Sequence, residues 1–575
     1  MGASLRLGPL LRHATETTAT VWVETDSPCQ VRVSAGEATA EATTFTVHGH
    51  HYAVCELTGL PTDSALPYRV HLDQEQVWPE ADSGYPPSLL RTLGADASAR
   101  IAFGSCHTPT THSAEHVRRY GRDMLRSYAE QLITERRAAS GAIGSTDPSL
   151  LLLIGDQVYA DELQPSMRTF LREHRGSRNS DTDPPEDEVV SFEEYAELYR
   201  QAWTDPDIRW LLSTVPTLML FDDHDVRDDW NTSGTWRREI ARTPWWKPRV
   251  TSGLGAYWIY QHLGNLSAEE RAADPVFRDV VADDGDSGDR VDAFAWRAHA
   301  QPDSYRWSYG LDFGRNRLLM MDTRCGRLVD DDSRRSMLST EDTAWLDAQV
   351  TGGVDHLIIA SSLPFLMPPA IHHLEAWNEA VCAGAWGRLA RGPGEKLRQD
   401  VDLEHWPAFQ RSFRSTAGSV LRAASGDRGT PPASVLFLGG DVHFSYLAQA
   451  RPAGADSVQS RIVQLVSSPT CNRLPGKLRW AMWGVTRRLT SMVGAALARS
   501  AGVRPSPLRW RLDAGPWFDN TLAFLELNGR TADVYWASPP ALGSGRGSPH
   551  DWTANVRRHR VSEETAGTST VPPSR

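Results

Sequence analysis

Five consecutive apolar residues, Leu150-Leu151-Leu152-Leu153-Ile154, run directly into Gly155 and Asp156. A run without alternation reads as a strand buried on both faces, and the glycine that ends it permits a sharp turn presenting Asp156 at the strand's carboxyl end. Open α/β sheets keep their chemistry at that edge. Three further apolar runs end the same way. Ile101-Ala102-Phe103-Gly104-Ser105 delivers Cys106; Val215 to Phe221 delivers Asp222, Asp223, His224 and Asp225; Val435-Leu436-Phe437-Leu438-Gly439-Gly440 delivers Asp441 and His443. Four strands that each stop at a metal-capable residue describe one site. Tyr159 stands three residues beyond Asp156, one turn later if a helix begins there, so a phenol and a carboxylate would face one point. Taken alone, Asp156 reads equally well as a helix cap and Tyr159 as a core residue.

At 575 residues the chain exceeds what one core holds, so a large catalytic domain with an accessory domain is the expectation. Residues 1 to 95 look all-β. Strand-like segments such as Thr17 to Val23, Gln30 to Val33, His51 to Leu57 and Tyr68 to Leu72 alternate with turn residues, which predicts an independent immunoglobulin- or fibronectin-like β-sandwich without catalytic residues. His48, His50 and His51 are given no role. The span 98–540 is assigned to the catalytic domain, and the Gly-, Ser-, Thr- and Pro-rich segment 543–575 to a disordered tail.

A net charge of −12 and a pI near 5.9 argue against dedicated nucleic-acid binding. The six cysteines show no paired spacing, so neither a disulfide scaffold nor a zinc ribbon is indicated. No signal peptide and no membrane-length apolar stretch is present, from which a cytoplasmic protein is expected. Trp480 to Arg499 reads as an amphipathic helix, either a surface lid or a peripheral membrane contact. Five tryptophans between Trp230 and Trp258 suit core packing and a cleft wall equally. The polar stretch from Asn265 to Arg297 is read as helices and a loop over the site.

The blocks FGSC (Phe103 to Cys106), GDQVYADE (Gly155 to Glu162), DDHDVRDDW (Asp222 to Trp230) and GDVHFS (Gly440 to Ser445) resemble those of the PhoD-like alkaline phosphatases, a branch of the calcineurin-like metallophosphoesterases. They occur in family order across most of the chain. The resemblance implies an α/β fold of two packed sheets flanked by helices, with an N-terminal β-sandwich, and an iron-plus-calcium site. Cys106, Asp156, Tyr159 and His443 form one ligand set, since thiolate and phenolate need the field of an acidic ion such as Fe(III). Asp223 and Asp441, with Asp156 bridging, form an all-oxygen set for Ca2+, with Mg2+, Mn2+ or Zn2+ as alternatives. Two ions sharing one carboxylate would activate a bridging hydroxide against a phosphate ester.

By analogy with the family, His224 faces the leaving group as general acid or hydrogen-bond donor. Arg324 is assigned to phosphate contact, with a structural salt bridge as its rival role. Two departures from the family pattern stand out: Asp225 replaces glutamate, and Asp228 stands where asparagine is usual. The implied function is metal-dependent hydrolysis of phosphomonoesters, phosphodiesters or both. The alternatives are a phospholipase D-like hydrolase of phospholipids at a membrane surface and a non-catalytic binding protein. The substrate would be a small-molecule or lipid phosphate ester, and the oligomeric state is open.

Overall fold

The computed structural model describes residues 2–562 apart from 97, 110, 112, 142–143, 145–146, 177–183, 331–333, 455–456, 477–478, 480–481, 483–487 and 540–556. The chain opens with β1 (Leu5–Ala14), β2 (Ala19–Thr25), β3 (Gln30–Ala35), β4 (Ala38–Thr43), β5 (Phe45–Val47), β6 (His50–Leu57), β7 (Ala65–Leu72), β8 (Glu75–Trp78) and β9 (Leu89–Arg91). Alternation sets their faces: in β3, Val31, Val33 and Ala35 are buried while Arg32 and Ser34 are half-buried. Two antiparallel sheets result, ordered β1-β2-β6-β5 and β4-β3-β7-β8, with β9 pairing on β7. Val21, Val33, Cys55 and Val70 fill the layer between them. This is the expected sandwich.

The sandwich is not independent. Every residue of β2 is buried, because the outer face of its sheet is covered as well as the inner. Leu7, Leu10, Trp22 and Tyr52 share a core with Trp203, Tyr257 and Tyr260. The fully buried Arg12 donates to the Gln261 carbonyl at 2.7 Å and to Asn265 Oδ1 at 2.8 Å. His50, buried, lies between Glu24 at 2.8 Å and Glu193 at 2.6 Å. The stretch from Asn265 to Arg297 also belongs to this junction and not to the roof of the site: Arg271 pairs with Glu56, and Asp292 stands 2.9 Å from His48.

The larger body is built from β10 (Ala99–Gly104), β11 (Leu150–Ile154), β12 (Thr217–Leu220), β13 (Tyr309–Phe313), β14 (Asn316–Met321), β15 (His356–Ser361), β16 (Ser434–Gly439), β17 (Ser445–Pro452), β18 (Arg461–Val466), β19 (Leu508–Trp517), β20 (Leu522–Asn528), β21 (Thr531–Ala537) and β22 (Arg557–Ser562). They make two sheets, β12-β11-β10-β20-β21-β22 and β13-β14-β15-β16-β18-β17-β19. Leu150, Leu152 and Ile154 point between the sheets toward the layer of Leu436 and Leu438, whereas Leu151 and Leu153 meet the outer helices. Both faces being covered, the run needs no polar alternation. On the far side, Trp406, Phe409 and Phe413 pack on Ile359, Val435 and Phe437. Helix, sheet, sheet and helix form four layers.

Five helices matter below: α1 (Phe192–Trp203), α2 (Trp246–Tyr257), α3 (Pro369–Cys382), α4 (Arg388–Asp400) and α5 (Arg488–Ser500). Of the helix expected over Trp480 to Arg499, α5 is the continuous described part; residues 480–481 and 483–487 lie outside the described residues. Trp230, Trp246 and Trp258 are buried in the core beneath α2, which decides between packing and cleft in favour of packing. The disordered tail expected over 543–575 is corrected for residues 557–562. There, β22 adds to the edge of β21, and Arg560 pairs with Asp533 at 2.7 Å; the remainder of that tail lies outside the described residues. Among the described residues, no helix is long and apolar enough to cross a membrane.

Candidate metal centre

Strands β10, β11 and β12 run parallel in one sheet and β14, β15, β16 and β18 run parallel in the other. Residues just beyond the carboxyl ends of β10, β11, β12 and β16 come together at one place. There the turns after β10, β11 and β16 leave Cys106, Asp156, Asp441 and His443 with φ of 56°, 51°, 62° and 54°. All four are in the left-handed region, where a non-glycine residue is strained. A glycine carries each close approach: a Cβ at Gly440 would collide with Ser105, and one at Gly155 would lie 3.0 Å from Asp222 Oδ2 and from Ser362 Cβ. No helix begins at Asp156; the chain stays irregular until Pro165. Tyr159 nevertheless reaches back, its hydroxyl 3.4 Å from Asp156 Oδ2.

Ligand-capable atoms gather in three overlapping groups, each with its atoms within 4.8 Å of one another: Cys106, Asp156 and His443; Asp156, Asp223 and His224; and Asp156, Asp222, Asp223 and Asp441. Asp156 belongs to all three. Asp156 Oδ1 and Asp222 Oδ2 are buried without a hydrogen-bond partner, a costly arrangement that a bound cation relieves. Burial, reinforced by neighbouring carboxylates, pushes the Asp156 carboxyl far above its ordinary range. Burial and the charges of Asp156 and Asp441 do the same to the Cys106 thiol. Burial lowers His443 to about 4, keeping the imidazole neutral and free to donate a lone pair. The donor set therefore fits metal ions, softer at Cys106 and His443 and harder at the carboxylates.

Arg324, fully buried, supplies cationic charge in the floor. Its Nε bonds Asp222, its Nη1 lies 2.6 Å from Glu404 Oε1, and its Nη2 lies 3.1 Å from Asp223 Oδ1 and 3.6 Å from Asp441 Oδ1. These ion pairs are the structural salt bridge that was the rival role expected of Arg324, and the side chain has no exposed surface. Asp225, which stands where glutamate was expected, lies outside the three ligand groups described above. Its carboxylate accepts from the Asp222 N–H at 2.9 Å and from Gln261 at 3.2 Å, and so shapes the turn that carries Asp223.

His224 keeps about a sixth of its side chain open, at 17 % exposure, and its Nδ1 stands 2.9 Å from Asp161 Oδ1. Burial opposes a charge on this ring, yet Asp161, Asp156 and Asp223 outweigh it and hold the pKa well above the ordinary histidine value. Asp161 also accepts from the Asp228 N–H at 2.5 Å. The Asp228 side chain itself is mostly exposed, with Oδ1 3.8 Å from His224 Nε2.

Sequence reasoning gave no role to Asp161, Asp222, Glu375, Glu404 or His405. Asp161 lies inside the GDQVYADE block, and Asp222 immediately precedes Asp223, so both had a local signal. Glu375 and His405 had none. Glu375 comes from α3 and His405 from a loop behind no apolar run; His405 lies 2.8 Å from Glu375 Oε1 and 3.1 Å from Asp441 Oδ2.

A family model described as PhoD-like phosphatase matches residues 135–479, and a domain of unknown function (DUF7800) matches residues 2–90. No curated protein matches the chain. Among solved structures, one titled "Structure of PhoD" aligns over 98% of this chain and 93% of its own with TM-score 0.57 at 11% identity, a likeness of fold. A purple acid phosphatase, PPD1 from yellow lupin (Lupinus luteus) seeds, aligns over 96% of this chain and 73% of its own with TM-score 0.46 at 9% identity. The family model spans more than half of the sequence and contains every residue of the cluster except Cys106, so the chain belongs to the PhoD-like phosphatase family.

Proposed function

We propose that this protein hydrolyses phosphate esters at a two-metal centre in which Asp156 is the shared ligand. The observation that carries the reading is the membership of Asp156 in all three ligand groups. Cys106, Tyr159 and His443 would complete the set for Fe(III), and Asp223 and Asp441 the set for Ca2+ or another hard divalent ion, with Asp222 available beside them. Bound ions would supply Lewis acidity, lowering the pKa of water and neutralising the oxygens of a phosphoryl group.

The chain's own residues divide the remaining work. Asp161 compensates a charge on His224 and so favours its protonated form, and the ring borders the same carboxylate cluster. It therefore donates to the phosphoryl group or to the leaving oxygen, and its open edge lets solvent return the proton. Asp161 holds Nδ1, which leaves Nε2 as the atom that faces substrate. Arg324 fixes Asp222 and Asp223 and is itself fixed by Glu404. His405 does for Asp441 what an outer partner commonly does for a metal ligand, orienting it from behind. Six buried cysteines, none of them in a disulfide, suit a reducing compartment such as the cytoplasm.

The test is metal content together with hydrolysis of p-nitrophenyl phosphate and bis(p-nitrophenyl) phosphate. Asp156→Ala should lose both metals and activity on both esters. A variant with full metal content and undiminished rates would sink the assignment.

A further inference from the structure

The outer face of α5 is apolar and open. Leu489, Met492 and Val493 are 73%, 63% and 64% exposed, and their spacing puts them on one side of the helix with Ala496 and Arg499. The opposite side is used: Gly494 sits against α3 so closely that a Cβ there would lie 3.1 Å from His373 Cβ and 3.3 Å from the Ala370 carbonyl. Trp386 and Leu389 are exposed beside α3 and at the start of α4. The Trp386 indole donates to the Ser500 carbonyl at the end of α5 at 3.3 Å. Among the described residues, every large apolar side chain that is exposed, Val281 apart, lies between Trp386 and Val401 or between Leu489 and Val493. The contact of Trp386 with Ser500 joins the first of these groups to α5 at one place on the surface.

The charge of the same segment says what kind of surface it meets. From Ser457 to Leu512 the sequence contains ten Arg and Lys residues and no Asp or Glu, within a chain of net charge −12. Arg388, Arg391, Arg499 and Arg504 of this face are exposed. A nucleic acid would be met by the arginines alone and would leave Leu489, Met492 and Val493 without a use. An anionic bilayer uses both: the apolar side chains enter the acyl boundary while arginines remain among the headgroups.

We propose that α5, with the adjoining Trp386 and Leu389, docks this protein on anionic membrane surfaces. The position is meaningful because α3 lies between the docking face and the metal centre. Its Glu375 reaches His405 and through it Asp441, while α5 covers its other side. Only one helix then separates the metal centre from the docking face.

Flotation of the full-length protein with vesicles tests this. Wild type should float with vesicles containing one-third phosphatidylglycerol, remain unbound with pure phosphatidylcholine, and be released by high salt. Leu489→Ser/Met492→Ser/Val493→Ser should reduce flotation about tenfold or more, with circular dichroism and p-nitrophenyl phosphate hydrolysis unchanged. Arg499→Glu/Arg504→Glu, which leaves the apolar face intact, should weaken binding to the anionic vesicles and serves as an independent check should the triple variant misfold. The proposal is overturned if wild type ignores anionic vesicles, or if a folded triple variant floats as wild type does. It is also overturned if sedimentation gives a wild-type dimer that the triple variant dissolves, which would make the face a contact between copies. Preferential retention on duplex DNA without vesicle binding would overturn it as well.

Discussion

His405 Nε2 stands 3.1 Å from Asp441 Oδ2, while its other nitrogen meets the buried Glu375 of α3 at 2.8 Å. Burial opposes a charge on this imidazole, but the two carboxylates prevail and hold its pKa well above the ordinary value. The relay ties α3 to a candidate ligand. His405→Ala should weaken metal retention or kcat by about 10- to 100-fold, whereas Glu375→Gln, which keeps a hydrogen-bond acceptor, should cost less. Metal analysis after dialysis against a chelator, read beside kcat, distinguishes orientation of Asp441 from a general loss of stability.

Asp161→Asn removes the charge that keeps His224 protonated. The raised pKa means that the acid form persists well above pH 6.5 in the wild type. The variant should lose its proton at lower pH, so the alkaline limb of the kcat profile should move toward neutral, with kcat reduced about 100-fold. A pH–rate profile that keeps its alkaline limb would remove His224 from the role of acid.

The junction between sandwich and catalytic body should carry its own pH dependence. Burial disfavours a charged His50, yet hydrogen bonds and charge from Glu193 and Glu24 raise it to about 9. A raised folded-state pKa stabilises fully below the unfolded value near 6.5 and is lost as pH climbs through about 9. The wild type should therefore lose up to about 3 kcal/mol across that window. Urea denaturation at about pH 6 and about pH 9.5 measures it, and His50→Gln should flatten the slope.

Iron bound through Tyr159 and Cys106 should colour the protein, because phenolate and thiolate donate charge to Fe(III). Tyr159→Phe should weaken or shift the visible band and lower activity more than stability. Colourless, iron-free protein with full metal content would exclude Fe(III) and leave a two-metal centre of other ions.

What could be read in the sequence was what lies close along the chain. Leu150 to Asp156 reveals a strand and its terminal carboxylate because burial on both faces leaves an unbroken apolar run. The same logic finds Cys106, Asp223, Asp441 and His443. His405 and Glu375 escape it because their role exists only through contacts made across the fold, with no periodic pattern around either. Arg324 was legible as a charge at a strand end, but its direction was not: only packing determines that it meets Asp222 and Glu404. The sandwich was readable from its alternation, whereas its second buried face was not. Thr20 and Glu24 look solvent-facing in sequence, and both are buried because Arg271 reaches Thr20, and His50 and Tyr260 reach Glu24.

The left-handed backbone at Cys106, Asp156, Asp441 and His443 sets evolution and thermal tolerance against each other. Each such residue costs about 1 kcal/mol or more relative to a glycine that adopts the conformation freely. Metal-capable side chains thus stand at positions where the backbone conformation on its own would favour glycine. A metal-free protein with glycine at His443, whose neutral ring holds no ion pair, should melt at a higher temperature than the metal-free wild type while having lost a proposed metal ligand. Random selection for heat resistance, carried out without selection for turnover, should therefore erode the active centre first.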